Sequence, residues 1–569
     1  MIRSITLGGF QSIEALTTIK LVDLTLLYGP NSAGKSSLID VLAHLKKIFN
    51  YENLKNSIKR NKTKDDMFIG ISYEFKFNLE GNNRYDNAFN YRNSFGDSGP
   101  LYDFCEALTG RVIFILFRFG DADMDCDIDI SADGEQILSV KFDISEFDCY
   151  LNNVEPTGAS DNFVSGIVTL RKSSPFSFLS DLKAKRGSSL QQWFIHNNDQ
   201  ELTIRGLRFF HSKSDSIQYD ALRLCVSTDN LLDQTNATSF IDMFSGLEGS
   251  DLVEHKEWFD NEFREDNRNE IESKLREIAR DLSVGIDVLF AQGVEAISHS
   301  HVSGTRTLLN STKAYHLNNN SYKIEDKDGD FHVRTYLNWE HQNWWIKQTF
   351  NEESNAHDFV TGPLIAKLMP SLGSHRLYID KYRISADVEY RQQSMRDRVQ
   401  DCEDQYGSED TIAFLRILKG DNSTLGFEDV GSGYSYIVPI LCALTTSSMS
   451  IIEQPELHLH PRAQCELADV FINAVNCNLR PELKHRVLIE SHSEHLILRI
   501  SRRIRETSRA QLHMPALDLS PSQVLIYYFQ PQGNGTSKIH EIRFGADGDF
   551  LDLWPDGFFA ERDKELFDE

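Results

Sequence analysis

Residues Gly29-Pro-Asn-Ser-Ala-Gly-Lys-Ser36 set two glycines, a lysine and a hydroxyl at the spacing GxxxxGK[ST]. Glycines let successive backbone N–H groups turn inward toward phosphate oxygens, and a helix starting there adds the positive end of its dipole. Lys35 is placed to reach the β- and γ-phosphates of a nucleoside triphosphate, and Ser36 to supply a magnesium ligand. The expected phosphate-contacting set is Gly29, Pro30, Asn31, Ser32, Ala33, Gly34, Lys35, Ser36 and Ser37. A chance glycine-rich turn is the alternative, and the apolar strand before it and amphipathic helix after it argue against that. The loop alone leaves kinase, GTPase and ATPase open.

A second anchor is Met449-Ser-Ile-Ile-Glu-Gln-Pro-Glu456, an apolar strand ending in carboxylates, with Glu453 expected to hold the metal through water. The elements that must carry these groups read as follows. Strands are expected at residues 2–7, 16–21 and 24–28, then a helix at 37–49 with apolar positions 38, 39, 42, 45 and 48. Strand-like runs follow at 67–79, 111–119, 163–170 and 202–210. A hairpin is expected at 126–130 with 137–144 around Ser131-Ala-Asp-Gly134. Helices are expected at 251–282 and 391–418. The last third alternates: helix 434–444, strand 449–452, helix 461–475, strand 486–489, helix 494–505, and a hairpin of 523–529 with 538–544.

The 569 residues carry 85 acidic and 59 basic side chains, a formal charge of −26, which excludes a protein that coats nucleic acid wholesale. Forty per cent apolar and 25% charged is ordinary globular composition. The eight cysteines form no CxxC pair, which argues against a zinc ribbon or a disulfide framework. The start has no apolar leader and no apolar run is long enough to cross a bilayer, so no membrane association and a cytoplasmic setting are expected.

Ile5-Thr-Leu-Gly-Gly-Phe-Gln-Ser-Ile13, the loop at 28–37, Asp429-Val-Gly-Ser-Gly-Tyr-Ser435, Glu453-Gln-Pro-Glu-Leu-His-Leu-His-Pro461 and Glu490-Ser-His-Ser-Glu-His495 occur in one order. Together they resemble the ABC-type ATPases of the overcoming-lysogenisation-defect group, relatives of chromosome-maintenance and break-repair ATPase heads. Leu377-Tyr-Ile-Asp-Lys-Tyr-Arg383 resembles the segment leading into that family's second half, and Asp549-Phe-Leu-Asp-Leu-Trp-Pro-Asp-Gly-Phe-Phe559 the ending of one subgroup. The overall pattern is similar to the ATPase subunit of Septu-type antiphage defence, including its retron-associated versions. The resemblance covers residues 1–50 and 375–560.

It implies an α/β P-loop NTPase, an ABC-type ATPase head split by a long mixed α+β insertion. The expected divisions are residues 1–80 for the N-terminal half, 81–370 for the insertion, 371–515 for the C-terminal half, and 516–569 for a terminal hairpin and aromatic tail. It also implies ATP and Mg2+ as the bound groups, Ser36 and Glu453 as metal ligands, and a homodimer or higher oligomer in which Ser432 and Gly433 cap the γ-phosphate held by the opposite subunit. Gly431 stands where the family carries a serine. His492 matches the switch histidine that touches the γ-phosphate.

Gln454 departs from the pattern, which has a water-polarising glutamate there, because an amide orients water without taking its proton. Glu456 is the nearest carboxylate that could substitute, so slow hydrolysis is expected. No glutamine lies between Gln11 and Gln136, so the family's usual Q-loop residue is absent or displaced.

Other constellations read as surface. Asp121, Asp123, Asp125, Asp127 and Asp129 alternate as one face of a solvated edge strand. His299 and His301 read as polar loop histidines. Arg499, Arg502, Arg503, Arg505 and Arg509, and separately Lys55, Lys59, Arg60, Lys62 and Lys64, form basic clusters that leave direct nucleic-acid contact open. The favoured expectation is an ATPase without nuclease activity of its own, which gates a partner nuclease of the HNH type, with a reverse transcriptase and its RNA/DNA product as further partners. The alternative is a DNA-repair or chromosome-organising ATPase that binds DNA directly.

Overall fold

A computed structural model describes residues 2–50, 66–76, 100–119, 125–143, 164–171, 201–211, 224–227, 285, 288–289, 292–293, 296, 300–304, 309, 315–317, 376–383, 411–418, 423–476, 485–510 and 515–555. In chain order the elements are β1 (Ile2–Gly8), β2 (Thr17–Lys20), β3 (Leu24–Tyr28), α1 (Lys35–Asn50), β4 (Met67–Glu74), α2 (Pro100–Leu108), β5 (Val112–Phe119), β6 (Asp125–Ala132), β7 (Glu135–Asp143), β8 (Val164–Arg171), β9 (Glu201–His211) and β10 (Leu224–Ser227). There follow β11 (Ser300–Val302), β12 (Tyr315–Leu317), β13 (Arg376–Arg383), β14 (Thr411–Leu418), β15 (Thr424–Leu425), α3 (Gly433–Thr446), β16 (Met449–Glu453), α4 (Pro461–Val475), β17 (Arg486–Glu490), α5 (Glu494–Ser508), β18 (Val524–Pro531) and β19 (Ser537–Ile542). Among the described residues no helix is long and apolar enough to cross a membrane. The chain divides into two compact units, one of Met1–Lys20, Ser36–Ser298 and Asn534–Thr536, the other of Leu21–Lys35, His299–Gly533 and Ser537–Glu569.

The first unit holds a nine-stranded antiparallel sheet in the order β10-β9-β8-β7-β6-β5-β4-β1-β2. Its core face follows the two-residue period of a strand: Ile113, Ile115, Phe117 and Phe119 of β5 are buried, as are Ile128 and Ile130 of β6. Asp127 and Asp129 lie on the opposite face of β6, which is paired on both sides and so is an interior strand rather than the expected edge. Arg118 faces Asp127 across the ladder; a hydrogen bond to Asp66 first, and the charges of Asp66, Asp127 and Asp129 with it, hold its guanidinium above the usual range. Asp121 and Asp123 lie outside the described residues.

The second unit is built on a six-stranded sheet in the order β11-β16-β17-β3-β18-β19, with every pairing parallel except β18 with β19. Both faces of a parallel strand are covered, which is why β3 and β17 are buried at every position. α4 packs on α5 and against β17 and β3, and α3 packs against β11 and β16. α5 starts on Ser493, whose hydroxyl accepts the Leu496 N–H at 3.3 Å, and it has Glu494 in its first turn and Arg505 in its last. A smaller sheet pairs β12, β14 and β13 in that order, with β15 beside β14.

One expected helix changes. Residues 411–418, expected as the end of a helix, form β14 instead: it pairs with β13 along the whole of both strands, a partnership between distant segments that overrides local periodicity. The start of that expected helix, and the helix at 251–282, lie outside the described residues. The division at residue 80 cuts a sheet, since β1, β2 and β4 continue into β5 to β10. In the terminal hairpin, β18 lies parallel to β3 from Val524↔Leu24 to Tyr528↔Tyr28.

Trp554 binds the tail to this sheet. Its ring meets those of Tyr28, Tyr528 and Phe550 edge-on, at centroid distances of 6.3, 5.6 and 5.3 Å. Removing a partly buried aromatic from such a contact costs about 1–3 kcal/mol. Trp554→Ala is therefore expected to lower the urea midpoint of the second unit's unfolding by that equivalent with its slope unchanged; an unshifted midpoint would show that the tail does not brace the sheet.

Candidate nucleotide site

The carboxyl ends of β3, β17 and β16 lie side by side, with Glu490 level with Leu27 and Glu453 level with Glu490. In an open parallel sheet the crevice beyond these ends is where ligands bind. Everything that follows β3, β16 and β17 is delivered there.

After β3 the chain turns through Gly29 at φ 141°, Ser32 at φ 61° and Gly34 at φ 86°. A side chain at Gly29 would meet two obstacles, since that φ disfavours L residues and its Cβ would stand 2.5 Å from the Phe529 carbonyl oxygen of β18. The turn ends as α1 opens at Lys35, so the first helical N–H groups are presented by the loop itself. These left-handed turns, the helix start and the lysine form a cradle that fits phosphate groups.

Lys35 is buried, and its Nζ donates to the carbonyls of Gly29 at 3.0 Å and Pro30 at 2.9 Å. Glu490 Oε1 lies 3.7 Å away. Burial pulls the ammonium below its usual range, and the charges of Glu490 and Glu456 oppose that. Two of its three donors are thus spent on its own loop, and phosphate oxygens could replace those carbonyls as acceptors.

Glu453 ends β16 with both oxygens engaged: His301 Nε2 lies 2.7 Å from Oε1, and the Gly304 N–H donates to Oε2 at 3.0 Å. Gln454 follows in the left-handed region at φ 43°, and its N–H donates to the Glu490 carbonyl at 2.7 Å. A non-glycine residue held there stores roughly 1–3 kcal/mol, the kind of strain found at functional positions.

Glu456 does not face an open space as a base would. Its Oε2 accepts the Ser491 hydroxyl at 2.8 Å and its Oε1 the His492 N–H at 2.7 Å, tying the loop after β16 to the loop after β17. The contact fixes the backbone at His492. The buried Tyr28 hydroxyl donates to the Ser493 carbonyl at 2.9 Å, and burial raises its phenol far above the usual range, so it stays a donor.

The structure therefore brings Lys35, Glu453, Gln454, Glu456 and His492 to one end of one sheet. Ser432 and Gly433 open α3, with Ser432 exposed. Nothing lies within 4 Å of a Cβ added at Gly431, so the serine of the family pattern would fit there. The ring of Tyr436, one turn into α3, lies 4.5 Å from that of His458 in the loop after β16.

Sequence reasoning missed Glu490, Ser491, Tyr28, Gly304 and His301. The first three carried a signal, since each flanks or lies within a motif already singled out. His301, expected to be a polar loop residue, instead contacts Glu453; 152 positions separate them and no local pattern connects them. His299 lies outside the described residues. The arginine face of α5 is engaged within the protein: Arg499 and Arg503 bind Asp469, Arg502 and Arg503 bind Glu506, and Arg505 binds the Asp547 carbonyl and Asp549. The Lys55–Lys64 cluster lies outside the described residues.

The His492 imidazole is held below its usual range, first by partial desolvation and then by the charge of Lys35. The unfolded chain thus takes up that proton first. The associated stability is present above the ordinary histidine pKa and is lost as pH falls from there through the depressed value. Between pH 8 and pH 5.5 the urea midpoint is expected to fall further for the wild type than for His492→Gln, and equal falls would refute the coupling.

Comparison with known proteins adds the family. The AAA ATPase domain family matches residues 1–497, and a family described as a protein of unknown function (DUF3696) matches residues 519–568. No curated protein matches. Solved structures that align include an Smc head domain with an extended coiled coil bound to the C-terminal domain of ScpA, from Pyrococcus furiosus, at 10% identity over 95% of this chain and 96% of that one, with a TM-score of 0.32. The SMC head domain from Thermotoga maritima aligns at 8% identity over 95% and 98%, also with a TM-score of 0.32. At such scores the fold assignment rests on the sheet and on the family match. On the match over residues 1–497, the chain belongs to the AAA ATPase domain family.

Proposed function

We propose that the protein binds ATP on the 29–37 loop, hydrolyses it slowly, and uses the bound state to regulate a separate nuclease in antiphage defence. The observation that carries the nucleotide reading is the convergence of Lys35, Glu453, Glu456 and His492 on the carboxyl ends of β3, β16 and β17. Lys35 would leave the Gly29 and Pro30 carbonyls for the phosphates. Ser36 and Glu453 would hold Mg2+, which supplies charge neutralisation at the phosphate oxygens when bound. Gln454 orients water but has no proton affinity to act as a base, which favours a long-lived bound state. Glu456 fixes the loop that presents His492.

Ser432 and Gly433 fit a cap contributed by a second copy, because exposed N–H groups at a helix start are suited to phosphate. The regulatory half of the reading is supported by the order of motifs shared with the Septu-type ATPase subunits and by the charge of −26, which favours a basic partner. An HNH nuclease fits that place, with a reverse transcriptase and its product as further components. A direct grip on DNA is less favoured, because Arg499, Arg502, Arg503 and Arg505 are engaged by acidic groups and a carbonyl of the same chain.

Lys35→Ala is expected to weaken ATP binding about 10- to 100-fold, as loss of one or two charge-assisted hydrogen bonds would; equilibrium binding of a fluorescent ATP analogue reads this, and wild-type affinity would refute the site. Glu456→Gln is expected to retain ATP binding while phosphate release falls at least tenfold, because the amide cannot accept from both Ser491 and His492. Unchanged release would remove Glu456 from the machinery. Purification of the tagged protein from its native cells is expected to bring down a nuclease, and a lone ATPase would refute the regulatory half.

A further inference from the structure

The carboxylate of Glu453 is oriented by a segment remote from it in the chain. β11 runs parallel to β16 with His301 level with Ile451 and Val302 level with Ile452, so the chain leaving β11 passes the carboxyl end of β16. There the His301 ring and the Gly304 N–H reach different oxygens of one carboxylate, at 2.7 and 3.0 Å. An ionised carboxylate only accepts, so His301 Nε2 is the donor in this contact. Two donors on two oxygens fix the plane of a side chain that otherwise rotates freely at a strand end. The approach is close: a Cβ added at Gly304 would stand 3.2 Å from Gln454 Oε1 and 3.5 Å from Glu453 Oε2.

We infer that His301 is a positioning residue for Glu453 and, with the Gly304 amide, holds the acid in the orientation that receives the divalent cation accompanying the nucleotide. This rests on the nucleotide reading above. Groups that hold a metal's ligand in place typically contribute 10- to 100-fold to metal affinity without touching the metal. His301 would thus link the segment at 300–304 to occupancy of the site.

The test uses the full chain, with Mn2+ as the spectroscopic probe. Affinity for a fluorescent ATP analogue is measured in EDTA, and Mn2+ binding to the protein–nucleotide complex is titrated by electron paramagnetic resonance. His301→Ala is expected to keep wild-type affinity in EDTA and to weaken Mn2+ binding about tenfold. His301→Gln, whose amide can donate to the same oxygen, is expected to recover most of it. Wild-type Mn2+ affinity in His301→Ala overturns the inference, as does loss of nucleotide binding in EDTA or failure of the glutamine to rescue, since either makes the histidine a general structural support. Absence of nucleotide binding in the wild type would be a different result, overturning the ATP reading and this inference with it.

Discussion

A buried ammonium among carboxylates is the constraint on which the second unit depends. Taking a lysine out of water costs several kcal/mol unless it is paired and hydrogen-bonded. Lys35 meets that cost with two carbonyls of its own loop and with Glu490, which is itself buried. The arrangement depends on β17 lying between β3 and β16, which sets Glu490, the last residue of β17, level with Leu27 just before the loop and level with Glu453 on its other side. A one-strand change in sheet order would separate Glu490 from Lys35.

The loops beyond the strands are joined as one. Glu456 binds the residues after β17, Gln454 binds the Glu490 carbonyl, and Tyr28 binds the Ser493 carbonyl, so the three strand ends are cross-linked by polar contacts. In this arrangement a shift of Lys35 toward phosphate would be felt by Glu490, and through it by Gln454 and His492. The ring pair Tyr436–His458 carries the same loop to the first turn of α3, where Ser432 and Gly433 lie.

The segment matched by the second family belongs to the same construction. Its β18 is the neighbour of β3, and its Phe529 carbonyl stands where any side chain at Gly29 would be. Trp554 then closes over Tyr28, the last residue of β3. The hairpin thus closes the space beside Gly29, and Trp554 packs on the residue before it.

The sequence by itself determined the glycine-rich turn before α1, the strand ending at Glu453 and the helices around residues 434–444, 461–475 and 494–505. These are local patterns: a glycine spacing, an apolar run before carboxylates, a helical period behind a capping serine. It could not determine partnerships between distant segments. The strand 411–418 reads as helical because its partner β13 is remote, and the place of the terminal hairpin beside β3 has no local signature; the aspartate ladder reads as an edge although both neighbours are adjacent in sequence, because alternation marks a polar face and not how many sides of the strand are paired. His301 is the clearest case. Nothing near it marks it out, and only the pairing of β11 with β16 brings it to Glu453. Tertiary structure also decided the partners of Glu456, whose two oxygens accept from the chain after β17, because hydrogen-bond geometry is a property of the fold and not of the spacing between two glutamates.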